Sequence, residues 1–142
     1  MNPLVLLAKL AIETYIEDKK TIPVPASPEG GEPRPYGREG FPKEFLARRA
    51  GVFVTIEKRK ELRGLPRSEP KVLLRGCIGT YLPVRDNIAE EIIHNAIAAA
   101  TEDWRFGPIK KTELPHLSYT VYILNKPEKV SDITELDPKK FG

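Results

Sequence analysis

"LLRGCIGT", residues 73–80, holds the only cysteine of the chain between two glycines, two residues from an arginine. The leucines, isoleucine and threonine predict a strand. Side chains alternate across a strand, so Leu73, Arg75, Cys77 and Gly79 are expected on one face and Leu74, Gly76, Ile78 and Thr80 on the other. Glycine weakens a strand interior, and two of them three residues apart need a reason. The usual reasons are a bulge or the close approach of another backbone or a ligand. Something is therefore expected to press on this strand.

The neighbouring segments supply a frame for it. "VFVTI" (52–56) is β-branched and aromatic and predicts a second strand, paired antiparallel with the first. Between them, Lys58 to Lys71 is charged and contains Pro66 and Pro70, so a basic loop is expected over 59–71. "PKEFLARRAG" predicts a short helix stopping at Gly51. At the start of the chain, Pro3 suits a first helical turn, and Leu4, Leu7, Ala8, Ala11 and Tyr15 recur at helical spacing. Lys19, Lys20 and Pro23 mark where that helix stops. Residues 23–42 hold six prolines and four glycines, which predicts a long surface loop.

Downstream, "DNIAEEIIHNAIAAAT" (86–101) predicts a helix. Asn87 and Glu90 resemble a capping box, and Ile88, Ile92, Ala96 and Ala99 form its apolar stripe. "LSYTVYIL" (117–124) predicts a third strand, and "KPEKVSDI" (126–133) a short edge strand. The pattern as a whole predicts a single α+β domain over 1–142 with a mainly antiparallel sheet.

Composition narrows the classes. The 142 residues can bury roughly 70% of the surface that the unfolded chain exposes. Hydrophobic residues make up 40% and charged residues 30%, a globular balance rather than a disordered one. A lone cysteine excludes an internal disulfide and fits a reducing compartment. The apolar run Leu4–Ile12 is broken by Lys9, lacks a basic leader and is too short to span a bilayer, so a cytoplasmic protein without membrane contact is expected. The absence of glutamine and the abundance of Lys, Glu and Pro lean toward a heat-adapted source. Within a net charge of +3, residues 48–75 carry nine Lys/Arg against three Asp/Glu, a local excess of six.

The hexapeptide "LRGCIG" (74–79) resembles the signature of the AMMECR-type domain family, and other pieces of that family's pattern follow in order. "GVFVTI" (51–56) precedes it. "IAEEIIHNAIAAATEDWRF" (88–106) resembles the family's helix and its Asp-Pro-Arg-Phe segment, carried here by Asp103, Trp104, Arg105 and Phe106. "ELPHLSYTVYIL" (113–124) resembles the next strand, and "LDPKKFG" (136–142) a segment before a glycine-rich continuation. The resemblance implies an α+β fold of two subdomains, C-terminally short in this chain. Strands absent from it would leave a face that self-association covers. It also implies association with Memo-like and radical S-adenosylmethionine proteins, without naming a reaction.

Several chemistries compete for these residues. Cys77 is either a close-packed core thiol or a nucleophile that Arg75 activates, since burial raises a thiol pKa and a guanidinium lowers it. His94 and His116 are the only histidines, and neither has the spacing of a catalytic pair or zinc set with Cys77. "EDWRF" (102–106) is either a helix-end cap, with Trp104 and Phe106 folded onto the core, or part of a site. In the second case Arg75 and Arg105 hold an anion beside Gly76, Cys77 and Gly79. The basic stretch 48–75 could bind nucleic acid, but it offers only one aromatic residue for base stacking, so a solvated face is the simpler reading. The expected function is a ligand- or partner-binding accessory module without a cofactor, with Cys77 enzymology and nucleic-acid binding as alternatives.

Overall fold

The computed structural model describes residues 2–24, 43–60 and 71–124. Helix α1 (Pro3–Asp18) opens on Asn2, whose side chain accepts the Leu4 N–H at 2.8 Å, and closes on Lys19 in the left-handed conformation. Helix α2 (Lys43–Ala47) leads into strand β1 (Gly51–Lys60), and β2 (Lys71–Gly79) returns antiparallel to it. Helix α3 (Ile88–Thr101) is capped by Asn87, which accepts the Glu90 N–H at 2.9 Å. A 3-10 helix (Lys111–His116) then delivers strand β3 (Leu117–Leu124) to the other side of β1. The sheet order is β2-β1-β3, wholly antiparallel. The expected α+β class, with a mainly antiparallel sheet, is what the chain adopts.

Helices α1 and α3 pack against each other and cover one face of the sheet. Alternation along β1 sends Val52, Val54 and Ile56 to that side, where they are fully buried against Leu7, Ala11 and Ile12 of α1 and Ile92, Ala96 and Ala99 of α3. The expected stripe of α3 is buried throughout. Among the described residues, no helix covers the opposite face. It carries Phe53, Thr55 and Glu57 of β1, flanked by Cys77 and Leu74 of β2 and by Ser118, Thr120 and Tyr122 of β3.

Two expectations need correction. Arg59, Lys60 and Lys71, expected within the loop 59–71, are strand residues that extend the hairpin. Residues 61–70 lie outside the described residues, as do 126–133, all but the first two of 23–42, and the terminal "LDPKKFG". The strict alternation foreseen for β2 also fails. Gly76 pairs with Ile56 but Leu74 pairs with Glu57, so Arg75 is an extra residue, a β-bulge. Beyond the bulge the faces exchange. Leu73 opposes Lys58 on the helix side, and Leu74 joins Cys77 and Gly79 on the uncovered side. No helix among the described residues is long and apolar enough to cross a membrane.

Candidate functional site

The two glycines of the signature answer to two different neighbours. A Cβ on Gly76 would collide with the carbonyl oxygen of Ala99, so glycine here lets the last turn of α3 lie directly on the strand. A Cβ on Gly79 would enter the ring of Phe53, which lies across it on the uncovered face. Both expected causes, a bulge and a close backbone approach, are present in this one strand.

The bulge turns Arg75 to the end of the sheet where Lys58 emerges. Its guanidinium pairs with Glu113 through Nε (2.9 Å) and Nη2 (3.1 Å), and it also donates to the carbonyls of Gly107 (3.0 Å) and Pro108 (3.1 Å). Lys58 reaches the same carboxylate at 3.0 Å. Arg75 is the leading cause that brings Glu113 down to about 2, against the opposing effect of burial, with the Lys110 N–H and Lys58 adding to it. The fork of Arg75 therefore ties β2 to the segment entering the 3-10 helix.

Cys77 and Thr55 are cross-strand partners whose side chains meet, Sγ to Oγ1, at 3.3 Å. The backbone of Cys77 turns outward, and "EDWRF" takes hold of it there. Its N–H donates to Asp103 Oδ2 at 2.9 Å, while Arg105 Nη2 lies 3.5 Å from its carbonyl oxygen. Arg105 also grips the Asp103 carboxylate with Nε (3.0 Å) and Nη2 (2.8 Å). A carboxylate and a guanidinium thus stand in for a neighbouring strand at one residue of the sheet edge. Arg105, partly opposed by burial, and then the N–H groups of Cys77 and Arg105 hold the Asp103 carboxyl well below the usual range. The cap foreseen for this segment takes another form. Arg105 serves the strand rather than helix-end carbonyls, Trp104 is 89% exposed, and Phe106 is 38% exposed beneath a cation–π contact with Arg105.

The signature residues thus converge on one margin of the sheet, built by Arg75, Gly76, Cys77 and Gly79 and edged by Arg105. The histidines do not join them: His94 is exposed on α3 and His116 on the 3-10 helix. Among the described residues, no three His, Cys, Asp or Glu side chains are grouped to hold a metal ion.

The roles of three acids, Asp103, Glu113 and Glu91, are not legible in the sequence. Asp103 holds Cys77, and a helical turn-end acid gives no pattern that marks it as a strand clamp. Glu91 lies buried in α3 and accepts from the Thr80 hydroxyl (2.8 Å) and from the N–H groups of Val84 and Arg85. Asn95 completes this network by donating to the Val52 carbonyl (2.9 Å) and Thr80 Oγ1 (3.2 Å). It anchors the turn that carries exposed Tyr81, Leu82 and Val84.

The AMMECR1 family model matches residues 5–142. The chain belongs to the AMMECR1 family. A Thermotoga maritima protein is 45% identical over 99% of the chain, which spans 67% of that relative. A Thermococcus onnurineus protein is 37% identical over 97% of the chain, which spans 57% of it. The crystal structure of an uncharacterized Pyrococcus horikoshii protein superposes with a TM-score of 0.68 at 33% identity, covering 96% of this chain and 57% of that one. The chain therefore spans little more than half to two thirds of these family members. In a Clostridium acetobutylicum protein, 50% identical over 100 residues, the match occupies 19% of a much longer polypeptide. The thermophilic sources of several relatives accord with the composition of this chain.

Proposed function

We propose that the chain is a binding module that receives a protein partner on the uncovered face of its sheet and along the β2 margin. One observation carries this reading: the polar groups of the signature are spent on one another while apolar side chains beside them face solvent. Arg75 is taken by Glu113 and two carbonyls, and Arg105 by Asp103. Val72 (46%), Leu74 (42%), Tyr122 (56%) and Trp104 remain exposed around this fixed frame. An exposed apolar patch held on a rigid base suits a partner surface, and Trp and Arg are frequent anchors of such surfaces. A small anion finds less to bind, because the fork of Arg75 is occupied. Cys77 and Arg105 are the signature residues within reach of a partner, whereas Gly76 and Gly79 build the frame. The Clostridium relative, in which the matching region is a minor part of a long chain, accords with an accessory role.

The partner classes to try first are those the family resemblance implies, a Memo-like protein and a radical S-adenosylmethionine protein. Trp104 is the only tryptophan, so its fluorescence reports on the proposed surface. Titration with either protein should shift Trp104 emission, and amide exchange should slow at Thr55, Cys77 and Tyr122. Binding that protects only α1 and α3 would overturn the reading. Turnover of a small substrate abolished by Cys77→Ser would put the enzyme alternative in its place, and tight salt-sensitive RNA binding would favour the nucleic-acid one.

A further inference from the structure

We propose that the half of β2 before the bulge, Lys71–Leu74, is an acceptor for an extended acidic segment of a partner protein, which adds to the sheet as a fourth strand. The inference rests on the binding-module reading and names how the partner is held. Among the described residues, β2 is an outer strand of the sheet. Asp103 and Arg105 occupy its outer side at Cys77, but among the described residues no backbone hydrogen bond reaches the outer side of Lys71–Leu74. An edge of this kind presents unpaired N–H and C=O groups to which an extended chain can hydrogen-bond. The bulge keeps the two halves distinct, since it interrupts the ladder between the clamped residues and the open ones.

The side chains of this half offer both faces to an added strand. Val72 and Leu74 lie toward the uncovered face and Leu73 toward the other, and all three are about two-fifths exposed or more, at 46%, 42% and 39%. An added strand with alternating side chains would find apolar neighbours on either side.

Charge selects the occupant. Lys60 and Lys71 face each other across the hairpin as a like-charged pair, an arrangement that is unfavourable without a counter-charge. Arg59 is exposed beside them, and Lys58 follows on the same strand. Lys110 and Lys111 stand exposed at the start of the 3-10 helix, which Glu113 joins to both Lys58 and Arg75. Glu113, on the 3-10 helix, is spent on those two cations, and Glu57 is the only acid on the two described hairpin strands. A second copy of this strand would set Lys71 and its companions against themselves, so the positive rim disfavours self-pairing and favours an acidic strand.

The probe is the peptide acetyl-Glu-Val-Glu-Val-Glu-Val-amide, added to the whole isotope-labelled chain and followed by NMR. It should slow amide exchange across residues 71–74 by about tenfold or more. A version N-methylated on alternate residues, unable to donate along one edge, should lose that protection, and a Lys-Val version should not bind. The double variant Lys60→Glu, Lys71→Glu should exchange these preferences. Equal binding of the Glu and Lys peptides would overturn the proposal, as would protection that survives N-methylation on both registers. Peptide-induced shifts at Phe53 and Tyr122 without protection of 71–74 would also overturn strand addition, yet leave the broader binding-module reading standing. That broader reading falls separately, on the whole-partner exchange map.

Discussion

The two halves of β2 belong to one strand and share one partner, yet they live in different surroundings. From Gly76 to Gly79, the strand is pressed by Ala99 from one side, crossed by Phe53 on the other, and clamped at its edge by Asp103 and Arg105. From Lys71 to Leu74 it carries three exposed apolar side chains and a like-charged cross-strand pair. The division falls at Arg75, the bulged residue. The difference teaches that a distinctive sequence signature can describe how a strand is built in, while the accessible surface begins just beside it. Substitutions in the two halves should therefore separate stability from binding.

The strongest test of that separation is Gly76→Val. A β-branched side chain must displace the last turn of α3, and neither the Ala99 backbone nor the β1 ladder can give way easily. A loss above about 4 kcal/mol in urea unfolding, or failure to fold, is expected. Leu74→Ala, two residues away, should cost under about 1 kcal/mol because the side chain is already partly in water. Similar costs at the two positions would erase the distinction between the halves.

Next in size comes the edge clamp. Asp103→Ala removes the acceptor of the Cys77 N–H and the partner of Arg105 together, and should cost about 2–3 kcal/mol. Acid provides an independent check. The folded-state pKa values of Asp103 and Glu113 are both depressed, so each contributes stability above its unfolded pKa that is lost as pH falls through the folded value. For Glu113 that window runs from 4.5 down to about 2. The unfolding midpoint should therefore fall across this range, and Glu113→Gln should flatten part of the decline. A pH-independent midpoint there would show that these carboxylates hold nothing in place.

Much of this architecture was legible in the sequence, because it rests on local rules. Pro3, the leucine and alanine spacing of α1, and the Asn87 cap of α3 are patterns within one element, and β3 lies where its alternating apolar run places it. The gap of three between Gly76 and Gly79 signalled close approach, although not by what. The failures share a physical cause. A bulge depends on register with another strand, so nothing in "LLRGC" announces that Arg75 is the extra residue or that Leu73 changes face. Of the two readings of "EDWRF", the one that folds Trp104 onto the core does not hold, because Asp103 and Arg105 turn the segment toward Cys77 and leave the indole outside. Asp103, Glu91 and Glu113 each satisfy groups distant in the chain, from 6 to 55 residues away, and such pairings have no periodicity to read.

The smallest expected effect concerns the cysteine itself, and it sharpens the contrast between frame and surface. Cys77 is half-buried with its Sγ against the Thr55 hydroxyl, and its backbone carries the clamp. Serine places an oxygen where the sulfur sits and finds Thr55 ready as a partner, so Cys77→Ser should cost under about 1 kcal/mol. Alanine leaves a small void and an unpartnered Thr55 hydroxyl on that side, and should cost about 1 kcal/mol or slightly more. A core thiol surrounded only by leucine and isoleucine would give the opposite order, with serine the worse replacement. Alkylation adds a second reading of the same site. If Cys77 belongs to the frame, native labelling should be slower than labelling in denaturant, and Arg75→Ala should leave its rate unchanged, because the guanidinium is turned to Glu113. Fast native labelling that depends on Arg75 would join the cysteine to a reactive centre, and the division between a built-in half and a free half of β2 would no longer describe the strand.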